Sequence, residues 1–161
     1  MFAVWMDLLR ENPKSVLWLM KLNEDAQKNL AASANAYGID PARLVFATRV
    51  PRIEDHLARY RLVDVCLDTF PYNGHTTTSD ALLAGVPVVT LAGQGFASRV
   101  ASSLLNDQAS RQSVVLSLEA YKSSANVAAN SNRTLNHLSE IPWVSAEQQA
   151  TEFTDLIMEM S

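Results

Sequence analysis

Asp68, Thr69, Tyr72, Asn73, His75, Thr76, Thr77, Thr78, Ser79 and Asp80 fall within thirteen consecutive residues, together with Pro71 and Gly74. An apolar run, Val63 to Leu67, leads into this stretch, and a helix-forming run, Ala81 to Ala84, leads out. A strand that ends in a glycine-containing turn and restarts as a helix points backbone N–H groups at whatever lies above the sheet. Asn73-Gly74 can supply the tight turn, because glycine tolerates positive φ. Thr76 or Thr77 can cap the helix. Their hydroxyls and amides then suit an anion such as a diphosphate. The same residues also fit an ordinary capped connection, and the loop alone does not separate the two readings.

Other polar residues are weaker candidates. His56 and Arg59 lie one helical turn apart. Asp80 can favour a helix N-terminus electrostatically. Asp68 can hold the loop by hydrogen bonds. Arg99 can pair with Asp68 or with a ligand phosphate. His137 sits in a polar stretch and reads as solvated. Trp5 and Trp18 read as core, and Trp143 as a packing anchor. No spacing of His, Asp and Glu suggests a metal site, so no metal is expected.

Several classes are disfavoured by composition. The 161 residues suit one domain, and 48% apolar content supports a sizeable core. A formal charge of −4, with no basic run, argues against nucleic-acid binding. Cys66 is the single cysteine, so no internal disulfide and no cysteine-based metal site can form. Its apolar surroundings predict a buried, inert thiol, and a reducing cytoplasm fits. No apolar run reaches the roughly 20 residues that span a bilayer, and the first residues do not read as a secretory signal.

The elements that must position these residues alternate. Residues 2–11 predict an amphipathic helix with Val4, Trp5, Leu8 and Leu9 on one face. Residues 15–20 predict a strand buried on both faces. A helix follows from Asn23 or Asp25 to about Tyr37, with Leu30, Ala31 and Ala34 inward and Gly38 beyond its end. Strands are predicted over 44–47, 63–67, 86–91 and 113–116. Helices are predicted over 53–62, 76–84, 97–105, 118–138 and 146–160, with Pro142-Trp143 between the last two. Such alternation implies right-handed crossovers and a parallel sheet with helices on both faces. Ligands of such sheets bind beyond the carboxyl ends of the strands, where the glycine-bearing loops and the Pro51 turn lie.

A series of motifs then points to a family. Arg49-Val50-Pro51, His56-Leu57-Ala58-Arg59-Tyr60-Arg61, Asp64-Val65-Cys66-Leu67-Asp68-Thr69, Asn73-Gly74-His75-Thr76-Thr77, Ala84-Gly85-Val86-Pro87 and Ala97-Ser98-Arg99-Val100 occur in that order. The chain resembles the C-terminal half of the O-linked N-acetylglucosamine transferases and SPINDLY proteins. The resemblance is strong from about Trp5 to Leu105 and rests on helical pattern afterwards. It implies the second, donor-binding Rossmann-like domain of a GT-B glycosyltransferase, followed by C-terminal helices. It implies a UDP-sugar donor, UDP-GlcNAc by analogy, and Ser/Thr hydroxyls of a protein acceptor. By resemblance His75, Thr76 and Thr77, on the Asn73-Gly74 turn, bind the diphosphate. Asp80 reaches toward the ribose, His56 and Arg59 lie beside the uracil, and the backbone of Val50-Pro51 reads the base edge.

Two departures qualify this. The family's N-terminal half, with its proposed general base, and its tetratricopeptide repeats have no counterpart in the sequence. A family lysine that contacts the diphosphate is also missing, and Ile53 stands where some members carry another lysine. Weak donor affinity and no turnover by the chain alone are therefore expected, and no residue is assigned a catalytic role. The missing half would be a partner, and self-association through Phe153, Leu156, Ile157 and Met160 is a further expectation. The alternative reading is a non-catalytic nucleotide-binding or protein-interaction module.

Overall fold

The computed structural model describes residues 1–105 and 113–131. The predicted helix over 146–160 lies outside them, as do His137, Pro142, Trp143, Phe153, Leu156, Ile157 and Met160. Helices α1 (Phe2–Glu11), α2 (Glu24–Ala36), α3 (Ile53–Arg59), α4 (Thr76–Leu83), α5 (Val100–Leu104) and α6 (Leu118–Asn130) alternate with strands β1 (Leu17–Met20), β2 (Leu44–Ala47), β3 (Cys66–Leu67), β4 (Val88–Leu91) and β5 (Val114–Val115). Every strand pair is parallel. The chain is therefore an α/β domain of Rossmann-like type, as the alternation predicts. The ladder comes in two pieces, β1-β2 and β3-β4-β5.

Helix α1 packs on both pieces. Val4 joins Val89, Leu91, Val115 and Tyr121 in one core cluster. Met6 and Leu9 join Ala34, Ile39 and Leu44 in another, and Trp5 packs against both. Met6 is fully buried although the predicted face omitted it. A third cluster, Ala81, Val86, Val88 and Leu105, lies against the other face of β4. All four β4 residues are buried, because alternate side chains enter the layers above and below.

The β1-β2 piece differs from expectation. Leu17, Leu44 and Phe46 face the α1–α2 side, but Met20 is 73% exposed and Val45 is partly exposed. Strand β1 is thus not buried on both faces: Leu17, Trp18 and Leu19 are half-buried and Met20 is exposed. Other elements are shorter than predicted. Tyr60–Leu62 tightens into a 3-10 turn after α3, and Phe96–Ser98 forms another before α5.

Local signals account for the boundaries. The Asn23 side chain accepts from the Ala26 amide and caps α2. Gly38 and Gly85, after α2 and α4, adopt φ of 74° and 68°. These left-handed positions favour glycine. Ser117 caps α6 through the Ala120 amide. Tyr121 on α6 donates to the Asp68 carbonyl at 2.7 Å, tying α6 to the end of β3.

Candidate functional site

The loop between β3 and α4 is assembled around Asp68. This carboxylate is only 4% exposed. Its Oδ1 accepts from the Thr69 and Gly74 amides at 2.9 and 2.6 Å, and its Oδ2 accepts from Thr90 Oγ1 at 2.6 Å. Burial pushes its pKa up, and the bonds from Gly74, Thr90 and Thr69, with the nearby His75, offset part of that rise. Asn73 is buried too: its amide donates to the Ala97 carbonyl and its Nδ2 to the Thr69 carbonyl.

Gly74 is needed for a different reason from the one predicted. Its φ is not in the left-handed region. A Cβ there would meet Thr77 Oγ1 at 2.6 Å and Thr78 Oγ1 at 2.7 Å. The requirement is close approach of the loop to the first turn of α4.

That first turn is not capped by a threonine. His75 occupies the N-cap position, and no side chain caps the helix. Thr78 Oγ1 donates back to the Gly74 carbonyl at 3.0 Å, and Ser79 Oγ to the His75 carbonyl at 3.2 Å. Thr76 and Thr77 are exposed. The helix thus begins with uncapped amides and two exposed hydroxyls, the features that attract an anion.

His75 stacks on Tyr72, with ring centroids 5.4 Å apart and planes 7° from parallel. Phe96 meets its ring edge-on at 6.3 Å. His75 Nε2 is buried and has no hydrogen-bond partner among the described residues. A buried unpaired ring nitrogen is uncommon and calls for a ligand or water.

A second group adjoins the first through α4. Arg59 Nη2 lies 2.8 Å from His56 Nδ1, and His56 Nε2 lies 3.1 Å from Asp80 Oδ2. Arg59 Nη1 donates to the Thr48 carbonyl at 2.7 Å, which ties α3 to the end of β2. Val50 and Pro51 lie in the segment between β2 and α3, half-buried and exposed respectively. Tyr60 packs edge-on to His56 at 5.4 Å, and burial pushes its phenol up to about 12. Asp80 is one turn beyond Thr76, so α4 carries residues of both groups.

The residues singled out from sequence therefore converge on the carboxyl ends of β2 and β3. Arg99 is exposed and does not pair with Asp68, whose oxygens are engaged by Thr69, Gly74 and Thr90. Ile53 is exposed at the start of α3. Cys66 is half-buried, and desolvation pushes its thiol up to about 12, which disfavours the nucleophilic thiolate. Sequence reasoning passed over Tyr72 and Phe96 as neighbours of His75. The available signal was an aromatic in each glycine-bearing loop. Among the described residues no three His, Cys, Asp or Glu side chains cluster as metal ligands, and no helix is long and apolar enough to cross a membrane.

A Rossmann-like α/β domain with an open helix N-terminus beyond its strand ends has the arrangement in which such folds bind the phosphates of nucleotides. The sequence model of glycosyl transferase family 41 matches residues 1–155, and this chain belongs to that family. It is 42% identical over 102 residues to the UDP-N-acetylglucosamine–peptide N-acetylglucosaminyltransferase of Caenorhabditis elegans, covering 63% of this chain and 9% of that protein. It is 39% identical over 122 residues to the probable Arabidopsis thaliana enzyme SEC of the same description, covering 75% and 12%. A mutant of the Thermobaculum terrenum O-GlcNAc transferase superposes with a TM-score of 0.84 at 32% identity, over 99% of this chain and 32% of that one. The chain thus spans about a tenth of these two curated relatives and about a third of the solved chain.

Proposed function

We propose that this chain is the donor-nucleotide domain of a protein O-glycosyltransferase. It holds a UDP-sugar, UDP-GlcNAc by analogy with its relatives, while an N-terminal half completes the enzyme and admits a protein Ser/Thr hydroxyl. The carrying observation is the uncapped start of α4 beside the buried, unpaired Nε2 of His75. The amides of Thr76 and Thr77 and the hydroxyls beside them favour the diphosphate, and His75 supplies a further donor. Asp80 on the ribose side, His56 and Arg59 beside the base, and the Val50-Pro51 backbone complete the site. The role in transfer is to bind and orient the donor and to stabilise charge on the departing diphosphate. The helix end does this without a metal. A reducing cytoplasm is the matching compartment.

Calorimetric titration of the 161-residue chain tests the reading. UDP should bind weakly, more tightly than UMP, and equally well with a chelator present. No detectable binding by UDP, or strict dependence on Mg²⁺ or Mn²⁺, would overturn it.

A further inference from the structure

Phe96 is 82% exposed, although a phenyl ring gains by leaving water. Its place is fixed nonetheless. The Gly93 amide donates to the Ser98 carbonyl at 2.9 Å and closes the loop after β4, and the Asn73 amide donates to the Ala97 carbonyl at 2.8 Å. These bonds tie the loop to the start of α4 and keep the Phe96 ring edge-on to His75, with centroids 6.3 Å apart. Phe96 also borders a cavity of about 560 Å³, lined with it by Arg99, Val100, Ser102, Ser103 and Leu104. We infer that this cavity receives the sugar of the donor nucleotide, with the Phe96 ring as the wall on which the sugar's C–H face rests. The inference rests on the donor reading above and extends it.

The covalent order of the nucleotide leads to this cavity. Two flanks of the α4 start are held by different elements: α3 and the end of β2 carry the His56–Asp80 group, and the loop after β4 carries Phe96. A nucleotide that lies across the α4 start with its base toward His56 carries its sugar, at the far end of the diphosphate, toward Phe96. The chemistry of the cavity suits a pyranose. Ligand sites of about 300–1,000 Å³ join apolar walls to a few polar groups. A pyranose has a face of polarised C–H bonds, which the negative face of an aromatic ring attracts, and a rim of hydroxyls. The rim meets polar neighbours in Arg99, Ser102 and Ser103. Ser102 Oγ is buried and has no hydrogen-bond partner among the described residues, which calls for a ligand or water.

Parallel titrations of the chain with UDP and with UDP-GlcNAc test the assignment. Phe96→Ala should weaken UDP-GlcNAc binding about three- to tenfold and leave UDP within about twofold of wild type. Phe96→Tyr, which keeps the ring, should restore the sugar-dependent part. Proton spectra give a second readout: the pyranose C–H signals of UDP-GlcNAc should move upfield on binding to wild type and not on binding to Phe96→Ala. Equal losses for both nucleotides would make Phe96 a support for His75 and overturn the inference, as would an unchanged affinity for UDP-GlcNAc. In both of these cases UDP still binds and the donor reading stands. A wild-type chain that binds neither nucleotide overturns the donor reading and this inference with it.

Discussion

Gly74 and Asp68 fix each other across the loop. The Gly74 amide donates to Asp68 Oδ1 at 2.6 Å, and a Cβ at position 74 would approach that same oxygen to 3.3 Å. The carboxylate thus holds the backbone in a place that only a residue without a side chain can occupy. Everything that follows in α4 starts from this contact.

Gly74→Ala should therefore destabilise the domain by about 1–3 kcal/mol, because the new methyl presses on Thr77 and Thr78 within a helix. It should also lower UDP affinity by shifting the first turn of α4. Chemical denaturation and titration on the same preparation check both effects. A variant as stable as wild type would show that the loop yields freely.

His75→Ala should spare the fold and weaken UDP binding about ten- to a hundredfold, as expected for a lost bond to a charged group. Lys28→Ala, an exposed position on α2, is the control. Early melting of the His75 variant would mark the residue as structural. Unchanged affinity would make the open helix start an ordinary chain connection.

Tyr121→Phe tests the tie between α6 and β3. The phenol is fully buried, and its loss leaves the Asp68 carbonyl without that donor. A cost of about 1–3 kcal/mol is expected. Denaturant midpoints decide, and a neutral substitution would mean that other donors satisfy the carbonyl.

Asp68 makes a pH prediction of definite sign. Burial raises its carboxyl above the ordinary 3.8, so the native state binds this proton more tightly than the unfolded chain. Its contribution to stability is fully present below the unfolded value and is lost as pH rises through the folded one. The Tm of wild type minus that of Asp68→Asn should fall as pH climbs from below 3.8 through the weakly acidic range, then level off. A difference that grows with pH would reverse the assignment.

The alternation of elements and the site loop were legible because their signals are local. Apolar runs, Asn23 before α2 and glycines after α2 and α4 each act within a few residues. Gly74 was marked as special for the wrong reason, since a close contact with Thr77 and Thr78 depends on how the helix enters. The thriftier strand lengths, such as β3 at Cys66–Leu67, depend on partners distant in sequence. The stacking of Tyr72 on His75 and the approach of Phe96 also needed the third dimension. So did the link from Asp80 to His56, 24 positions apart, which periodicity within one helix cannot reveal.

Helix α1 contacts both halves of the sheet, and its Trp5 Nε1 lies 3.5 Å from Tyr121 Oη, 116 positions along the chain. Asn12 similarly donates to Asn126, 114 positions away. Such contacts enclose most of the described chain within one loop, and the entropy of closing it must be met before they form. High separation of this kind slows folding. Met6 and Leu9 find their partners in the nearby α2 and β2, whereas Val4 and one side of Trp5 need β4 and α6, far along the chain. Helix α1 is thus among the last of the described elements to acquire all of its neighbours.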